Sequence, residues 1–229
     1  MANAASPLVL RDIVKVYGSG ATAVRAVRGV SLEIGQGDIV AIVGPSGSGK
    51  TTLLSIAGCL LRPTSGQVYI LGEEATRLGQ ARLAEFRLRH IGFVFQSFNL
   101  LPALTAQENV EIALNLAGLT GRAARERARH LLDLLGLTPR AHQRPPDLSA
   151  GEQQRLAVAR ALANAPDIIL ADEPTANLDS KAGRRVMELM RSAVEQGEAK
   201  GLVVVTHDAR ILDVAHRVLT MEDGQLRAA

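Results

Sequence analysis

GDIVAIVGPSGSGKTTLLSIAG, residues 37 to 58, places a glycine-rich bend between two apolar segments, and the reading of that bend decides the fold. Gly44, Gly49, Lys50 and Thr51 satisfy the spacing G-x-x-x-x-G-K-[ST], with a strand-like run before them and a helix-like run after them. Glycines let the backbone curl until its N–H groups face an anion, and a helix beginning near Lys50 adds its positive end. The run Gly44, Pro45, Ser46, Gly47, Ser48, Gly49, Lys50, Thr51 and Thr52 is therefore expected to cradle a nucleoside triphosphate. Lys50 supplies a full charge for the β- and γ-phosphates, and the Thr51 hydroxyl is placed to bind Mg²⁺. A flexible Gly/Ser turn explains the glycines, but not the lysine in this context.

Composition sets the limits around this bend. The chain has 229 residues, 47% of them hydrophobic, 21% charged and only 3% aromatic, so Leu, Val, Ile and Ala must build the core. A formal charge of +3 and a pI near 9.4 suit anionic ligands or a membrane surface without requiring nucleic acid. Cys59 is the only cysteine, which excludes an internal disulfide, fits a reducing compartment and reads as a small core residue. No apolar run reaches the roughly 18 residues that span a bilayer, and MANAASPLVLRD lacks the basic start and hydrophobic stretch of a signal peptide. The chain is expected to be soluble and cytoplasmic.

Outward from the loop, VAIV at 40–43, IILA at 168–171 and LVVVT at 202–206 are continuous apolar runs, as in strands covered on both faces. LVLRDIVKVY at 8–17 and VSLEI at 30–34 alternate, as half-buried antiparallel strands do. Thr105 and Glu108 have capping-box spacing ahead of a face formed by Val110, Ala113, Leu114 and Ala117, with Gly118 as the stop. A second helix runs from about Arg122 to Leu135, closed by Gly136 and Pro139. The fold class that results is α/β: a P-loop NTPase core with a mixed sheet wrapped by helices, N-terminal antiparallel strands and an inserted all-helical lobe. Residues 1–96 and 164–229 form the core and 97–163 the lobe, with HQRPPD at 142–147 as a hinge and a hairpin around Asp223 and Gly224 near the end.

The chemistry continues at IILADEP, where a buried strand ends in two adjacent carboxylates that are costly to bury without a cation. A strand end beside the phosphate loop is where an open α/β sheet collects its ligand. Asp172 is expected to hold Mg²⁺, through water, and Glu173 to orient and polarise the attacking water, although alone the pair also reads as a helix cap. His207, just after VVVT, lies at the same sheet edge and is expected to contact the γ-phosphate rather than serve structure alone. Gln96 marks the passage from core to lobe and, without its neighbours, reads as a surface amide. In LSAGEQQR at 148–155, Ser149 and Glu152 form another capping-box spacing, and a Ser with small residues at a helix N-terminus also describes an anion site.

Taken in order, GPSGSGKT, FQS with Gln96, LSAGEQQR, ILADEP, NLD at 177–179 and His207 resemble the motifs of the ATP-binding subunits of ABC transporters, over nearly the whole chain. Ala150 and Glu152 depart from the family's usual LSGGQ, while Ser149 and Gly151 keep it. The resemblance implies a homodimer closing head to tail on two Mg-ATP, each held by the phosphate loop of one copy and by Ser149, Gly151 and Glu152 of the other. It further implies that Tyr17 stacks on adenine, unless it is an ordinary strand-end tyrosine, and that Asp179 crosses the dimer interface. Gln96 then acts as magnesium ligand, catalytic contact and link to an integral membrane subunit met near Phe98 to Leu101. Membrane contact runs through that partner alone, on the inner face of the cell membrane, and no nucleic acid is involved.

FQSFNLLPALTAQENVEIAL looks most like the branch serving macrolide exporters and lipoprotein-releasing complexes, which implies a hydrophobic or amphipathic cargo. Polar amino-acid importers carry similar stretches. A soluble non-transport ATPase of the same superfamily and a regulatory subunit without useful turnover are the other readings; Glu173, Gln96 and His207 together argue against the latter.

Overall fold

The computed structural model describes residues 6–228; residues 1–5 and 229, at the outer ends of the expected core, lie outside it. Ten strands and six α-helices follow one another among the described residues. The central sheet has six strands in the order β10 (Gln225–Ala228), β9 (Arg217–Glu222), β3 (Ile39–Val43), β8 (Leu202–Val205), β7 (Ile168–Asp172) and β6 (Ile91–Val94). All neighbours pair in parallel except β10 against β9, which close a hairpin. Its turn residues Asp223 and Gly224 have φ of 46° and 78°, the left-handed pair of a tight primed turn.

Period-two alternation explains how continuous apolar strands serve this sheet. Ile39, Ile169, Ala171, Leu202 and Val204 point to one face, which is covered by α3 (Ala106–Leu116), α4 (Gly121–Leu134), α5 (Ala150–Ala161) and α6 (Ser180–Glu195). Val40, Ile42, Ile168, Leu170, Val203 and Val205 point to the other, against α1 (Lys50–Ala57), α2 (Gln80–His90) and the second sheet. That second sheet is antiparallel, in the order β2 (Val24–Ile34), β1 (Leu8–Tyr17), β4 (Ser65–Ile70) and β5 (Glu73–Glu74). Cys59 lies in the same cluster, and burial pushes its thiol up to about 11, so it is an inert apolar filler.

The expected strands and helices are present, with two differences. β2 begins at Val24, six residues before the alternating run at 30–34, because Val24–Arg28 pairs along β1 although its outward positions are polar. HQRPPD forms a 3₁₀ turn, Pro145–Asp147, between α4 and α5, and the carbonyls of Ala141 and Gln143 accept the first amides of α3. The prolines do exclude α-helix there, and Gln143 ties the segment to the start of α3.

Because β3, β6, β7 and β8 are parallel, their C-terminal ends share one edge. Across it stand, in order, Gln96 after β6, Asp172 and Glu173 at the end of β7, His207 after β8 and the phosphate loop after β3. Topology alone collects them.

Candidate active site

Close backbone approaches shape the phosphate loop. Gly44 has φ 152°, and a Cβ there would stand 2.1 Å from the Met221 carbonyl oxygen; at Gly49, φ 104°, it would stand 2.2 Å from that of Ala26. Behind the loop the Gly224 amide donates to the Ser48 carbonyl at 3.0 Å, and Arg28 donates to the Gly224 carbonyl at 2.8 Å. The C-terminal hairpin and β2 are therefore the wall against which the loop is bent. Its open side is a cleft of about 270 Å³ lined by Ala26, Ser46, Gly47, Gly49, Lys50, Thr51, Thr52 and Glu173. The amides of Gly47, Gly49 and Lys50 donate to no protein acceptor among the described residues, and the buried Ser48 hydroxyl is also without a partner. Donors left free at a helix start are what a phosphate needs. Lys50, only 7% exposed, folds its Nζ onto the Gly44 and Pro45 carbonyls at 2.8 and 2.9 Å, which holds its charge beside the loop.

Thr51 Oγ1 donates to Asp172 Oδ1 at 3.0 Å, so two of the three expected metal ligands meet. Burial pushes the Asp172 carboxyl above its ordinary value and the neighbouring Glu173 charge adds to this, while the Thr51 hydroxyl and Lys50 pull the other way. A carboxylate that resists ionising when alone gains by receiving a cation. No group of three or more His, Cys, Asp or Glu side chains forms a metal cage among the described residues. One carboxylate and one hydroxyl, completed by phosphate oxygens and water, is a set that suits magnesium.

Glu173 has φ 47°, left-handed for a residue with a side chain, and its amide donates to the Val205 carbonyl at 2.9 Å. This costs roughly 1–3 kcal/mol and turns the side chain out at the strand end, towards the cleft. His207 secures it: Nδ1 lies 2.9 Å from Glu173 Oε1, and its amide donates to Oε2 at 3.3 Å. Lys50, Thr51, Asp172, Glu173 and His207 thus form one group.

The remaining expected residues do not line this cleft. Tyr17 ends β1 at 43% exposure, with Lys15 Nζ 5.2 Å above its ring. Gln96 is exposed, and its carbonyl accepts from Asn177 Nδ2 at 2.8 Å. Ser149 caps α5 with a reciprocal box: its amide and hydroxyl donate to Glu152 Oε2 at 2.9 and 2.8 Å, and Arg140 Nε donates to Oε1 at 2.9 Å. The Glu152 carboxylate is thereby turned back onto the protein and held at about 2 by the Ser149 amide first, then its hydroxyl and Arg140. A Cβ on Gly151 would stand 3.3 Å from that of Ala182, so the start of α5 lies beside the start of α6, which Asp179 caps through Lys181 and Ala182 amides, both at 2.9 Å. Ser149 and Asp179, both exposed, and the half-buried Gly151 make a second constellation.

Ala26, Met221, Gly224 and Asn177 shape the site without having been expected to. Ala26 and Met221 in strands and Gly224 in the hairpin turn act through backbone atoms distant in sequence, and no side-chain pattern signals that. Asn177 sits inside the NLD motif, but its reach to Gln96 depends on the juxtaposition of β6 and β7.

The sequence pattern of the family described as ABC transporter matches residues 27–176. An "Uncharacterized ABC transporter ATP-binding protein" of Thermotoga maritima is 54% identical over 217 residues, 95% of this chain and 92% of its own length. The Brucella abortus "Macrolide export ATP-binding/permease protein MacB" is 47% identical over 224 residues, 97% of this chain but 34% of its own length. The chain therefore spans about a third of that relative. Among solved structures, the bacterial ABC transporter cassette MJ0796, described as dimeric and in a post-hydrolysis state with ADP and Pi, superposes with TM-score 0.87 at 44% identity over 96% of both chains. The cbiO1 protein of Clostridium perfringens, at 24% identity over 97% of this chain and 87% of its own, shares the fold with TM-score 0.87.

Proposed function

This chain belongs to the ABC transporter family and is an ATP hydrolase, and from that premise we propose that two copies close on two Mg-ATP to drive a separate membrane subunit that moves a hydrophobic or amphipathic cargo. The observation that carries this reading is the separation of two half-sites. Free loop amides, Lys50, Thr51 and Asp172 provide for phosphate and metal in one place, while Ser149 and Gly151 present a capped, exposed helix start in another. Each half lacks what the other offers, so a two-fold pair completes both at once.

In this assignment the free amides of Gly47, Gly49 and Lys50, with the Lys50 side chain, hold the β- and γ-phosphates, and Tyr17 stacks on the adenine. Thr51, Asp172 and Gln96 would hold magnesium, which when bound would supply positive charge to offset the negative charge building on the phosphate oxygens. Glu173 accepts the proton of the attacking water, with His207 fixing its carboxylate and reaching the γ-phosphate. Ser149 and Gly151 of the second copy close the site, Glu152 keeps Ser149 oriented, and Asp179 faces across the interface. Loss of the γ-phosphate removes charge and cross-copy contacts, which favours opening.

Residues 1–96 and 164–229 act as the ATPase core and 97–163 as the moving lobe. Between them runs a groove of about 330 Å³ lined by Leu60, Arg87, Phe93, Phe95, Ala113 and Arg160, apolar with two cations at its sides. With the neighbouring Phe98–Leu101 it suits a cytoplasmic segment of the membrane subunit. Among the described residues no helix is long and apolar enough to cross a membrane, which accords with a peripheral position on the inner face through that partner. The 47% identity to a macrolide exporter favours an export-type cargo over a polar amino acid.

The Glu173→Gln chain, recovered with ATP from detergent-solubilised native membranes, tests the transport reading. Stoichiometric retention of one integral membrane protein, lost in Lys50→Ala, is expected; retention of ribosomes or DNA instead would favour a soluble ATPase.

A further inference from the structure

Directly after Gln96 the backbone does something unusual. Phe98 and Asn99, neither a glycine, have φ of 59° and 52°, and the Phe98 and Asn99 amides turn back onto the Phe95 and Ser97 carbonyls at 3.2 and 2.6 Å. Two consecutive left-handed residues with side chains do not persist unless their surroundings over-determine them. Their carbonyls are where that support arrives. Arg160 Nη1 donates to the Asn99 oxygen at 2.5 Å and Nη2 to the Phe98 oxygen at 3.1 Å. No carboxylate pairs with Arg160 among the described residues, and burial pushes its guanidinium below the ordinary arginine value. A half-buried cation whose only hydrogen-bond acceptors among the described residues are two carbonyls of a strained turn is placed for that turn.

Arg160 stands at the far end of α5 from Ser149, which caps its start. An uninterrupted helix of this length, on the order of 16 Å, moves as a rod. We propose that Arg160 is a positioning residue for the ATPase reaction: its forked guanidinium fixes the backbone following Gln96 to α5, so that the Gln96 side chain is aimed by the same helix that presents Ser149. Asn177, donating to the Gln96 carbonyl at 2.8 Å from the segment after Glu173, holds the turn from the other side. This inference rests on the magnesium role given above to Gln96.

A double-mutant cycle on the full-length chain tests it, with steady-state ATPase rates over a magnesium series and equilibrium ATP binding as readouts. Arg160→Gln is expected to lower kcat about 10-fold and raise the magnesium concentration for half-maximal turnover, with ATP affinity changed less than about 2-fold, since Arg160 touches no nucleotide. In the Gln96→Ala background the same substitution is expected to add less than about 2-fold. Arg160→Lys keeps the buried charge but cannot fork onto two carbonyls, so it carries the same test if Arg160→Gln fails to fold, with an intermediate kcat expected. Multiplying effects of the two sites, or a fall in active fraction with unchanged kcat and magnesium dependence per folded chain, would overturn the proposal. If Gln96→Ala alone turns over normally, the role of Gln96 falls first and this inference with it.

Discussion

Single side chains at the sheet edge divide binding from chemistry. Lys50 touches only loop carbonyls and is buried, so its substitution removes charge without disturbing another side chain. Lys50→Ala is expected to weaken ATP binding about 10- to 100-fold, the worth of one charge-assisted contact to phosphate, as read by equilibrium titration; unchanged affinity would displace Lys50 from the site. Glu173→Gln keeps the shape and the contact with His207 but removes the carboxylate proposed as the base. Turnover is expected to fall by about 10²-fold or more with ATP affinity retained, measured by phosphate release beside nucleotide binding. These residues were legible in the sequence because each demands a particular chemistry at a fixed spacing. Glu152 was legible only in part: S-x-x-E announces a cap, and the carboxylate is indeed spent on Ser149 and Arg140 rather than turned outward.

Elements supply the pre-set geometry. The box at the start of α5 is the clearest case for measurement, because Glu152 is held at about 2 against an ordinary value near 4.5. A folded value below the unfolded one means that the stabilisation is complete above about 4.5 and disappears as pH falls towards about 2. Glu152→Ala is therefore expected to cost about 1 kcal/mol at neutral pH, or about 2–4 °C in Tm, with the gap to the unaltered chain closing in acid; a gap independent of pH would deny the ionised cap. β3, β7 and β8 were readable as buried parallel strands because both their faces need apolar residues. β4, β5, α2 and β6 had no individual signature, since SGQVYI and IGFV are short and their partners lie far along the chain. The hairpin was readable from Asp223 and Gly224, but not that it forms the back wall of the phosphate loop, because that contact is made by backbone atoms.

At the scale of the molecule, parallel topology sets Gln96, Asp172, Glu173, His207 and the phosphate loop along one edge, while the starts of α5 and α6 leave Ser149 and Asp179 exposed elsewhere, with Gly151 half-buried between them. Motif order made the family legible; that Ser149, Gly151 and Asp179 do not line the phosphate-loop cleft was not, because linear spacing does not tell which motifs share a cleft. In the proposed function the second half of each site comes from another copy. Sedimentation equilibrium of the Glu173→Gln chain, with bound nucleotide counted in the same sample, measures this most directly. The account predicts a dimer carrying two ATP when Mg-ATP is present, and monomers when Ser149→Glu sets a negative charge where phosphate must approach. Monomers each saturated with one ATP, unchanged by the Ser149 substitution, would contradict it.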